Sequence, residues 1–230
     1  MTDPIDLAPR LLHRDAMMLI LDKPAGLAVH AAGKGDDHLG LHLESLRFGL
    51  PRAPELAHRL DRDTSGCLVL GRHRQALKRL GEMFAEGAVE KTYWAVVVGT
   101  PPGEAGVIET PLSKIEAKHG WRMKVDPRGQ PSVTEWRLLG RTERLSWLEC
   151  KPRTGRTHQI RVHLASIGLP IVGDHVYGLG TATLVADRLH LHARSVSVPF
   201  KPRKPPIVAT APVPPHMVEC LTACGWPGEG

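Results

Sequence analysis

The apolar residues of this 230-residue chain fall in short runs separated by polar turns. Two runs, Met17–Leu21 and Cys67–Leu70, predict buried strands, and residues 73–86 have the spacing of an amphipathic helix that ends at Gly87. Because strands and helices follow one another in irregular order, the pattern indicates an α+β fold rather than a regular βαβ repeat. Further strands are predicted at Tyr93–Val98, Val107–Thr110, Trp121–Val125, Val133–Leu139, Leu145–Cys150 and Leu189–Val198, and further helices around Leu39–Phe48 and at 157–167.

The length suits one domain, and we expect residues 1–230 to form a single domain of two subdomains. The loop Thr100–Gly106, rich in Pro and Gly, is the best candidate for the boundary between them. Residues 199–215 hold seven prolines, which predicts an extended edge strand or a segment that wraps the surface. A dedicated proline-rich ligand motif is the less favoured interpretation of that segment.

The composition excludes several classes of protein. Apolar residues make up 42% of the chain and charged residues 23%, as in ordinary globular proteins. No apolar run approaches the roughly 18 residues that span a bilayer, and the acidic segment Met1–Asp6 lacks the apolar core of a secretory signal. Four cysteines are too few for a disulfide scaffold, so we expect reduced thiols and a cytosolic protein.

The positive charge is concentrated in one part of the chain. The formal net charge is +6, and Arg outnumbers Lys by 20 to 10. Residues 114–161 carry 12 basic and 5 acidic side chains, whereas residues 1–113 and 162–230 are close to neutral. Because the planar guanidinium of Arg binds phosphate oxygens and stacks on bases, this basic block favours a nucleic-acid partner. A basic surface without a partner is the alternative that composition leaves open.

The densest polar cluster is HRLDRDTSG at residues 58–66, directly before the second buried strand. Five ionisable side chains within six positions are costly at the start of a strand unless they pair with one another or take part in chemistry. Asp61 lies between Arg59 and Arg62, whose positive charges favour its carboxylate form. From these residues alone, a catalytic carboxylate and a surface salt-bridge network at a turn both remain open.

A second cluster, KPRTGRTHQIRVH at residues 151–163, is a basic loop that leads into a helix. Exposed backbone N–H groups at the start of that helix, together with Arg153 and Arg156, are suited to bind phosphate. Arg161 lies one turn into the helix, from where it is able to reach a buried carboxylate. An ordinary basic surface helix is the alternative, but apolar residues alternate with the charges, so the helix cannot turn all of its charge to water.

Five motifs occur in the order found in the RluA-type pseudouridine synthases, and the chain resembles this family over about residues 17–200. The resemblance implies a pseudouridine synthase catalytic fold, with a mixed, mainly antiparallel sheet, flanking helices and two subdomains around a central cleft. Leu169 departs from many relatives, which have a polar residue there; this affects packing rather than chemistry. The motifs are Lys23-Pro24-Ala25-Gly26, HRLDRDTSG at 58–66, Lys91-Thr92-Tyr93, TGRTHQIRVHL at 154–164 and GDHVYG at 173–178.

The resemblance also implies a reaction: the isomerisation of selected uridines of RNA to pseudouridine, without a cofactor or a metal. By that resemblance Asp61 is the catalytic carboxylate. It attacks the ribose or the base, or assists departure of the uracil, and the sequence does not choose between these routes. Arg161 resembles the ion-pair partner of Asp61. Tyr93, one of two tyrosines in the chain, resembles the tyrosine that stacks on the target base and takes part in proton transfer.

Residues of both clusters resemble those that bind the RNA. Ile160 resembles the apolar wall on the other side of the target base, and Arg59 the arginine that fills the gap left by a flipped nucleotide. Flipping is expected because an enzyme cannot reach a glycosidic bond within a base stack. Since the first motif begins at Lys23, no S4-type RNA-binding domain is expected before it, and a monomer that binds a stem-loop of tRNA or ribosomal RNA is expected. The further candidates for RNA contact are Arg62, Arg153, Arg156 and His158.

Other interpretations are weaker. A zinc site would need a second paired motif, and the spacings of the His and Cys residues provide none. Asp61 and Asp63 are two positions apart, where carboxylates diverge rather than form the pair of a hydrolase. A non-catalytic RNA-binding module on the same fold would keep the basic block but need not keep Asp61, Tyr93 and Arg161. The residues considered for zinc are His190, His192, Cys220 and Cys224.

Overall fold

The computed structural model describes residues 5–229 except 32, 34–35, 118–119, 179, 181 and 184. The start of the acidic N-terminal segment, at residues 1–4, therefore lies outside the described residues, as does Lys118 of the basic block. The chain forms two compact units, Met1–Lys91 with Ala193–Pro212, and Thr92–His192 with Val213–Gly230. In the part of the chain that is described, no helix is long and apolar enough to cross a membrane.

Short strands dominate both units, as the sequence pattern predicts, and the α+β class is confirmed. The helix predicted at Leu39–Phe48 is a 3-10 helix over Leu39–Leu46, and another 3-10 turn spans Ala8–Arg10. In chain order the elements are β1 (Leu11–Arg14), β2 (Met18–Lys23), β3 (Glu55–Leu56), β4 (Ser65–Gly71), α1 (Arg74–Ala85), β5 (Glu90–Val98), β6 (Ala105–Ile108), β7 (Leu112–Ala117), β8 (Gly120–Val125), β9 (Thr134–Arg141), β10 (Leu145–Pro152), α2 (Gln159–Ser166), β11 (Leu191–Val198), β12 (Ile207–Thr210) and α3 (Pro215–Ala223).

The first unit consists of a sheet with α1 packed against it. Its strands lie in the order β1–β2–β4–β11, with β3 beside β4 and β12 beside β11. The register of β2 against β4 is antiparallel, from Met18 opposite Gly71 to Lys23 opposite Gly66. Helix α1 buries Leu80 and Met83 in the core of this unit, as its apolar spacing predicts. The sheet thus places the end of β2 next to the start of β4.

The second unit contains the strand order β5–β10–β9–β6 and a separate hairpin of β7 and β8. The described pairings are antiparallel. The loop at 100–106 connects β5 to β6 and lies inside this unit, so the chain divides at other points than the predicted boundary. The reason is that both strands it joins belong to the same run of paired strands.

Helix α3 follows the proline-rich segment at 199–215, in a stretch for which the sequence pattern predicts no element. The extended part is confirmed, because β12 pairs antiparallel with β11. The helix begins at Pro215, a position where the missing N–H of proline costs no hydrogen bond. It buries Met217 and Leu221, both 0% exposed, against Trp147 and other apolar residues of the second unit. The four-residue spacing of these two side chains was the available sequence signal for a helix.

Candidate active site

The loop that carries Asp61 leads directly into β4. Leu60 and Thr64 are buried at its two ends, Asp61 is half-buried between them, and Arg59 and Arg62 are exposed. The N–H of Thr64 donates to the carbonyl oxygen of Asp61 at 3.2 Å, which closes the loop into a turn. The two buried ends therefore anchor a short polar loop, as expected from a motif of charges that runs into a buried strand.

A fully buried lysine holds this loop. The ammonium of Lys23, at the end of β2, donates to the carbonyl oxygens of Pro24 at 2.8 Å, Leu27 at 2.9 Å and Arg62 at 2.9 Å. The N–H of Gly26 donates to the same carbonyl of Arg62 at 3.0 Å. One cation thus ties the Lys-Pro-x-Gly turn to the loop of Asp61. Sequence reasoning assigns no role to Lys23, and its place in that motif is the only signal.

The surroundings of Lys23 act on its charge in opposite directions. Burial lowers the pKa of Lys23 to about 8, although the carboxylates of Asp63, Asp61 and Asp22 favour its charged form. The ammonium is therefore retained at neutral pH, where it interacts favourably with Asp61. The first unit accordingly contains a carboxylate whose charge interacts with that of a buried cation, on a loop fixed through its backbone.

His58 and Gly66 of the same motif have structural roles: they position the backbone around β4. The Nε2 atom of His58 accepts a hydrogen bond from the N–H of Val69 at 3.0 Å, and its ring stacks on Phe84 at 4.3 Å. Burial lowers the pKa of His58 to about 3, so the ring is neutral. Gly66 has a φ of +103°, and a Cβ there would collide with the carbonyl oxygen of Ala193.

The second unit contains Tyr93, Ile160 and Arg161. Tyr93 lies on β5 opposite Cys150 of β10 and is 9% exposed. Ile160 and Arg161 occupy the first turn of α2 and are 6% and 5% exposed. The prediction that α2 cannot turn all of its charge to water is confirmed, because the guanidinium of Arg161 is buried.

Two other residues of the TGRTHQIRVH motif fix α2 to β9. The amide of Gln159 donates to Val133 O at 2.9 Å and to the hydroxyl of Thr134 at 3.0 Å, and its carbonyl accepts from the hydroxyl of Thr154 at 2.7 Å. One turn later, Nδ1 of His163 contacts the hydroxyl of Thr134 at 2.9 Å. Burial lowers the pKa of His163, so its ring serves this network in the neutral form. These contacts set the position from which Arg161 projects.

The described ion-pair partner of Arg161 is Asp174, which sequence reasoning does not identify. Nε and Nη2 of Arg161 donate to the two carboxylate oxygens, each at 2.8 Å, and both side chains are buried. The ring of Tyr177 lies 5.1 Å from Cζ of Arg161. Asp174 and Tyr177 belong to the GDHVYG motif, so the available signal was a pair of glycines around an acid and a tyrosine.

His158 connects α2 to the hairpin of β7 and β8. Its Nδ1 contacts the hydroxyl of Tyr177 at 2.8 Å, and that hydroxyl accepts from the N–H of Met123 on β8 at 3.0 Å. The ring of His158 stacks on Trp121 of the same strand at 5.3 Å. His158 has a φ of +53°, a left-handed conformation that a histidine keeps only when its surroundings enforce it. These contacts hold the side chain of His158 against Tyr177 and Trp121, so the ring already has partners within the protein.

The two arginines of the preceding loop also have partners within the protein. Arg153 forms a bidentate pair with Glu135 at 2.8 Å for both bonds, and Nε of Arg156 donates to Pro131 O at 3.3 Å. The N–H of Arg153 donates to Val133 O, and that of Arg156 to the side chain of Gln159. Those two N–H groups are engaged in the fold, so the predicted phosphate contact falls to the first N–H groups of α2 and to the arginine side chains. The guanidinium groups remain largely at the surface.

The thiols and the metal-binding side chains add no further centre. Cys67, Cys150 and Cys224 are buried thiols, and Cys220 is half-buried. Burial raises the pKa of Cys67 to about 12, so this thiol is protonated at neutral pH. Within the described ranges, no group of three or more His, Cys, Asp and Glu side chains could hold a metal ion.

Comparison with known proteins gives one consistent result. The family model described as RNA pseudouridylate synthase matches residues 17–166. An uncharacterized RNA pseudouridine synthase of Zymomonas mobilis is 46% identical over 210 residues, covering 90% of this chain and 95% of the relative. The ribosomal large subunit pseudouridine synthase C of Vibrio cholerae is 38% identical over 219 residues, covering 92% and 68%. The solved structure of human RNA pseudouridylate synthase domain containing 4 has a TM-score of 0.77 at 28% identity and covers 95% and 94%.

Proposed function

The chain belongs to the RNA pseudouridylate synthase family and is an RNA pseudouridine synthase, an isomerase, and we propose that Asp61 is its catalytic carboxylate. The observation that carries this proposal is the loop of Asp61. It lies in the segment matched by the family model, and buried Lys23 holds its backbone at the carbonyl of Arg62. A fixed carboxylate close to a buried cation is suited to react repeatedly from one position. Whether it adds to the ribose or to the base stays open.

Arg161, Tyr93 and Ile160 complete the proposed catalytic group. Arg161 is proposed as the cation that pairs with Asp61 during the reaction. Its guanidinium is held by Asp174 through two hydrogen bonds of 2.8 Å, and a buried guanidinium favours the ionised form of a carboxylate beside it. Tyr93 is proposed to stack on the target base and take part in proton transfer, with Ile160 as the apolar wall on the other side. The burial of all three supports a site from which water is largely excluded.

The exposed arginines are proposed to hold the RNA. Arg59 would fill the space left by the flipped uridine, because a base inside a stack is out of reach for the enzyme. Arg62 and Arg156 would contact phosphates, and Arg153 would do so next to its pair with Glu135. His158 is proposed to contact the RNA near the start of α2, where its ring stacks on Trp121. The phosphate contacts of Arg62, Arg153 and Arg156 would bind backbone without reading sequence.

We propose that the substrate is ribosomal RNA of the large subunit, modified in the cytoplasm by a monomer. The name of the Vibrio cholerae relative supports this choice over tRNA. A non-catalytic RNA-binding module is not favoured, because the chain keeps Asp61, Tyr93 and Arg161 together with the full set of family motifs.

Pseudouridine mapping of total RNA tests this proposal. RNA from a deletion strain is compared with RNA from the same strain complemented by the wild-type chain or by Asp61→Asn. We expect one or more large-subunit uridines to lose the modification on deletion and to regain it only with the wild-type chain. Restoration by Asp61→Asn would remove Asp61 from catalysis. Sites found only in tRNA would contradict the proposed substrate but not the reaction.

A further inference from the structure

Asp174 is a buried carboxylate, 1% exposed, to which neither the motif analysis nor the proposed reaction assigns a role. It follows Gly173, whose φ is +73° and where a Cβ would collide with the carbonyl oxygen of Arg188. Only glycine is tolerated there without a shift of the backbone. The backbone conformation directly before Asp174 is therefore restricted to one that glycine adopts.

The carboxylate of Asp174 is held from its own loop. Its Oδ1 atom accepts hydrogen bonds from the N–H groups of Val176 at 2.9 Å and Tyr177 at 3.0 Å. Its backbone N–H donates to Ile171 O at 3.1 Å, and its carbonyl accepts from Gly178 N at 2.9 Å. Burial raises the pKa of Asp174, but the hydrogen bonds from Arg161 and from these amides outweigh it, so the pKa lies below its ordinary value. Asp174 is thus a rigid anion at neutral pH.

The pair with Asp174 determines how the guanidinium of Arg161 is oriented. The two bonds of 2.8 Å join the Nε and Nη2 edge of Arg161 to both carboxylate oxygens. A bidentate fork of this kind fixes both the plane and the direction of the guanidinium. The ring of Tyr177 lies 5.1 Å from Cζ and packs against the same group. Nη1, which takes no part in the pair with Asp174, is consequently set in one place.

We propose that Asp174 is a positioning residue, whose carboxylate holds the guanidinium of Arg161 in the orientation that the isomerisation requires. This inference rests on the proposed function, in which Arg161 is the cation of the catalytic pair. Because the side chain of Asp174 is 0% exposed, it offers no surface to RNA. Its loss therefore acts on the rate of the chemical step and leaves RNA affinity unchanged.

The test uses Asp174→Asn, which removes the charge at nearly constant volume. Isomerisation releases the hydrogen at C5 of uracil, so large-subunit ribosomal RNA made with 5-tritiated uridine reports the single-turnover rate. Asp15→Asn is the matched control. Like Asp174, Asp15 accepts hydrogen bonds from the backbone N–H groups two and three positions later, those of Met17 at 2.7 Å and Met18 at 2.8 Å. Its ion-pair partner is His13 rather than Arg161.

We expect Asp174→Asn to lower the single-turnover rate roughly 10- to 100-fold, with unchanged Kd for the RNA and a cooperative thermal transition. Asp15→Asn keeps the wild-type rate. A folded Asp174→Asn protein with the wild-type rate, or one that loses RNA affinity instead of rate, overturns the proposal. If Asp174→Asn does not fold, Asp174→Glu keeps the charge but displaces the carboxylate by one methylene. A folded Asp174→Glu protein with the wild-type rate then overturns it as well.

A spectroscopic readout separates this proposal from the proposed function. The ¹H–¹⁵N resonance of Nε in Arg161, identified by its absence from Arg161→Lys protein, should be protected from solvent exchange in the wild type and in Asp15→Asn. Asp174→Asn should remove that protection. An unprotected wild-type resonance contradicts the positioning role even if the enzyme is active. A protected resonance in a wild-type protein that releases no tritium contradicts the proposed function instead.

Discussion

Replacing Lys23 with Met should remove a pH dependence of stability that comes from one buried ammonium. Lys23 is 0% exposed, and Met fills a similar volume without a charge. The matched control is Lys78→Met, because the side chain of Lys78 is 81% exposed and lies on the outer face of α1. The control therefore shows what the same substitution does where the cation is exposed.

The magnitude follows from the pKa of Lys23. Burial lowers it from 10.5 to about 8, and a difference of that size corresponds to about 3 kcal/mol. Between these two pH values the unfolded chain binds a proton that the folded chain has lost. The free energy of unfolding of the wild type therefore rises with pH across this window, and the rise is absent from Lys23→Met. The buried thiols titrate equally in both proteins and cancel in the difference.

Urea denaturation between pH 7 and pH 10.5 measures this effect. We expect the difference in unfolding free energy, wild type minus Lys23→Met, to increase by about 3 kcal/mol over the range. The difference between the wild type and Lys78→Met should stay constant. A constant difference for Lys23→Met as well would refute the assignment of a lowered pKa to Lys23.

The same charge should also matter to the loop of Asp61. The ammonium has three N–H groups for the carbonyls of Pro24, Leu27 and Arg62, whereas the neutral amine has only two. Above pH 8 one of these carbonyls loses its partner. The tritium-release rate of the wild type should then fall as the pH rises through about 8, and Lys78→Met should follow the wild type.

Further predictions concern the backbone, the core and the RNA-binding surface. Gly66→Ala should destabilise the protein by roughly 2–4 kcal/mol in urea denaturation, because Gly66 has a positive φ and a Cβ there would meet the carbonyl oxygen of Ala193. Gly81→Ala is the control: it lies on α1 with open space around it, and Ala should stabilise the helix by up to about 1 kcal/mol. Leu221→Ala should cost about 2–5 kcal/mol and Val218→Ala, on the exposed side of α3, much less; equal losses would place α3 outside the core. Arg156→Gln should reduce the slope of log Kd against log salt by about one, and an unchanged slope would exclude a phosphate contact.

Much of the fold follows from local patterns in the sequence. The apolar spacing of α1 and the neighbouring Gly87 predict a helix at 73–86, and the structure has it at Arg74–Ala85. Strands β8 and β9 lie within one or two residues of the predicted segments. Strand β7 is missed because its residues Leu112–Ala117 mix charged and apolar side chains and gain their order from pairing with β8.

The site shows where sequence reasoning ends. The charge pattern draws attention to Asp61 and Arg161, and the family resemblance makes them candidates for catalysis. Neither shows that Lys23 ties its own turn to the carbonyl of Arg62, 39 positions later, or that Asp174 holds Arg161, 13 positions earlier. Both contacts depend on the tertiary structure, which no local pattern reveals. The same holds for His158, whose partners Trp121 and Tyr177 come from a hairpin and a loop that the sequence does not place beside it.

The assignment of Asp61 is tested most directly by tritium release from 5-tritiated large-subunit ribosomal RNA. Asp61→Asn is compared with Asp63→Asn, which removes an exposed carboxylate from the same loop. Both proteins should unfold cooperatively and bind the RNA with the wild-type Kd. We predict no detectable release by Asp61→Asn and release at close to the wild-type rate by Asp63→Asn. Release at the wild-type rate by Asp61→Asn would contradict the account.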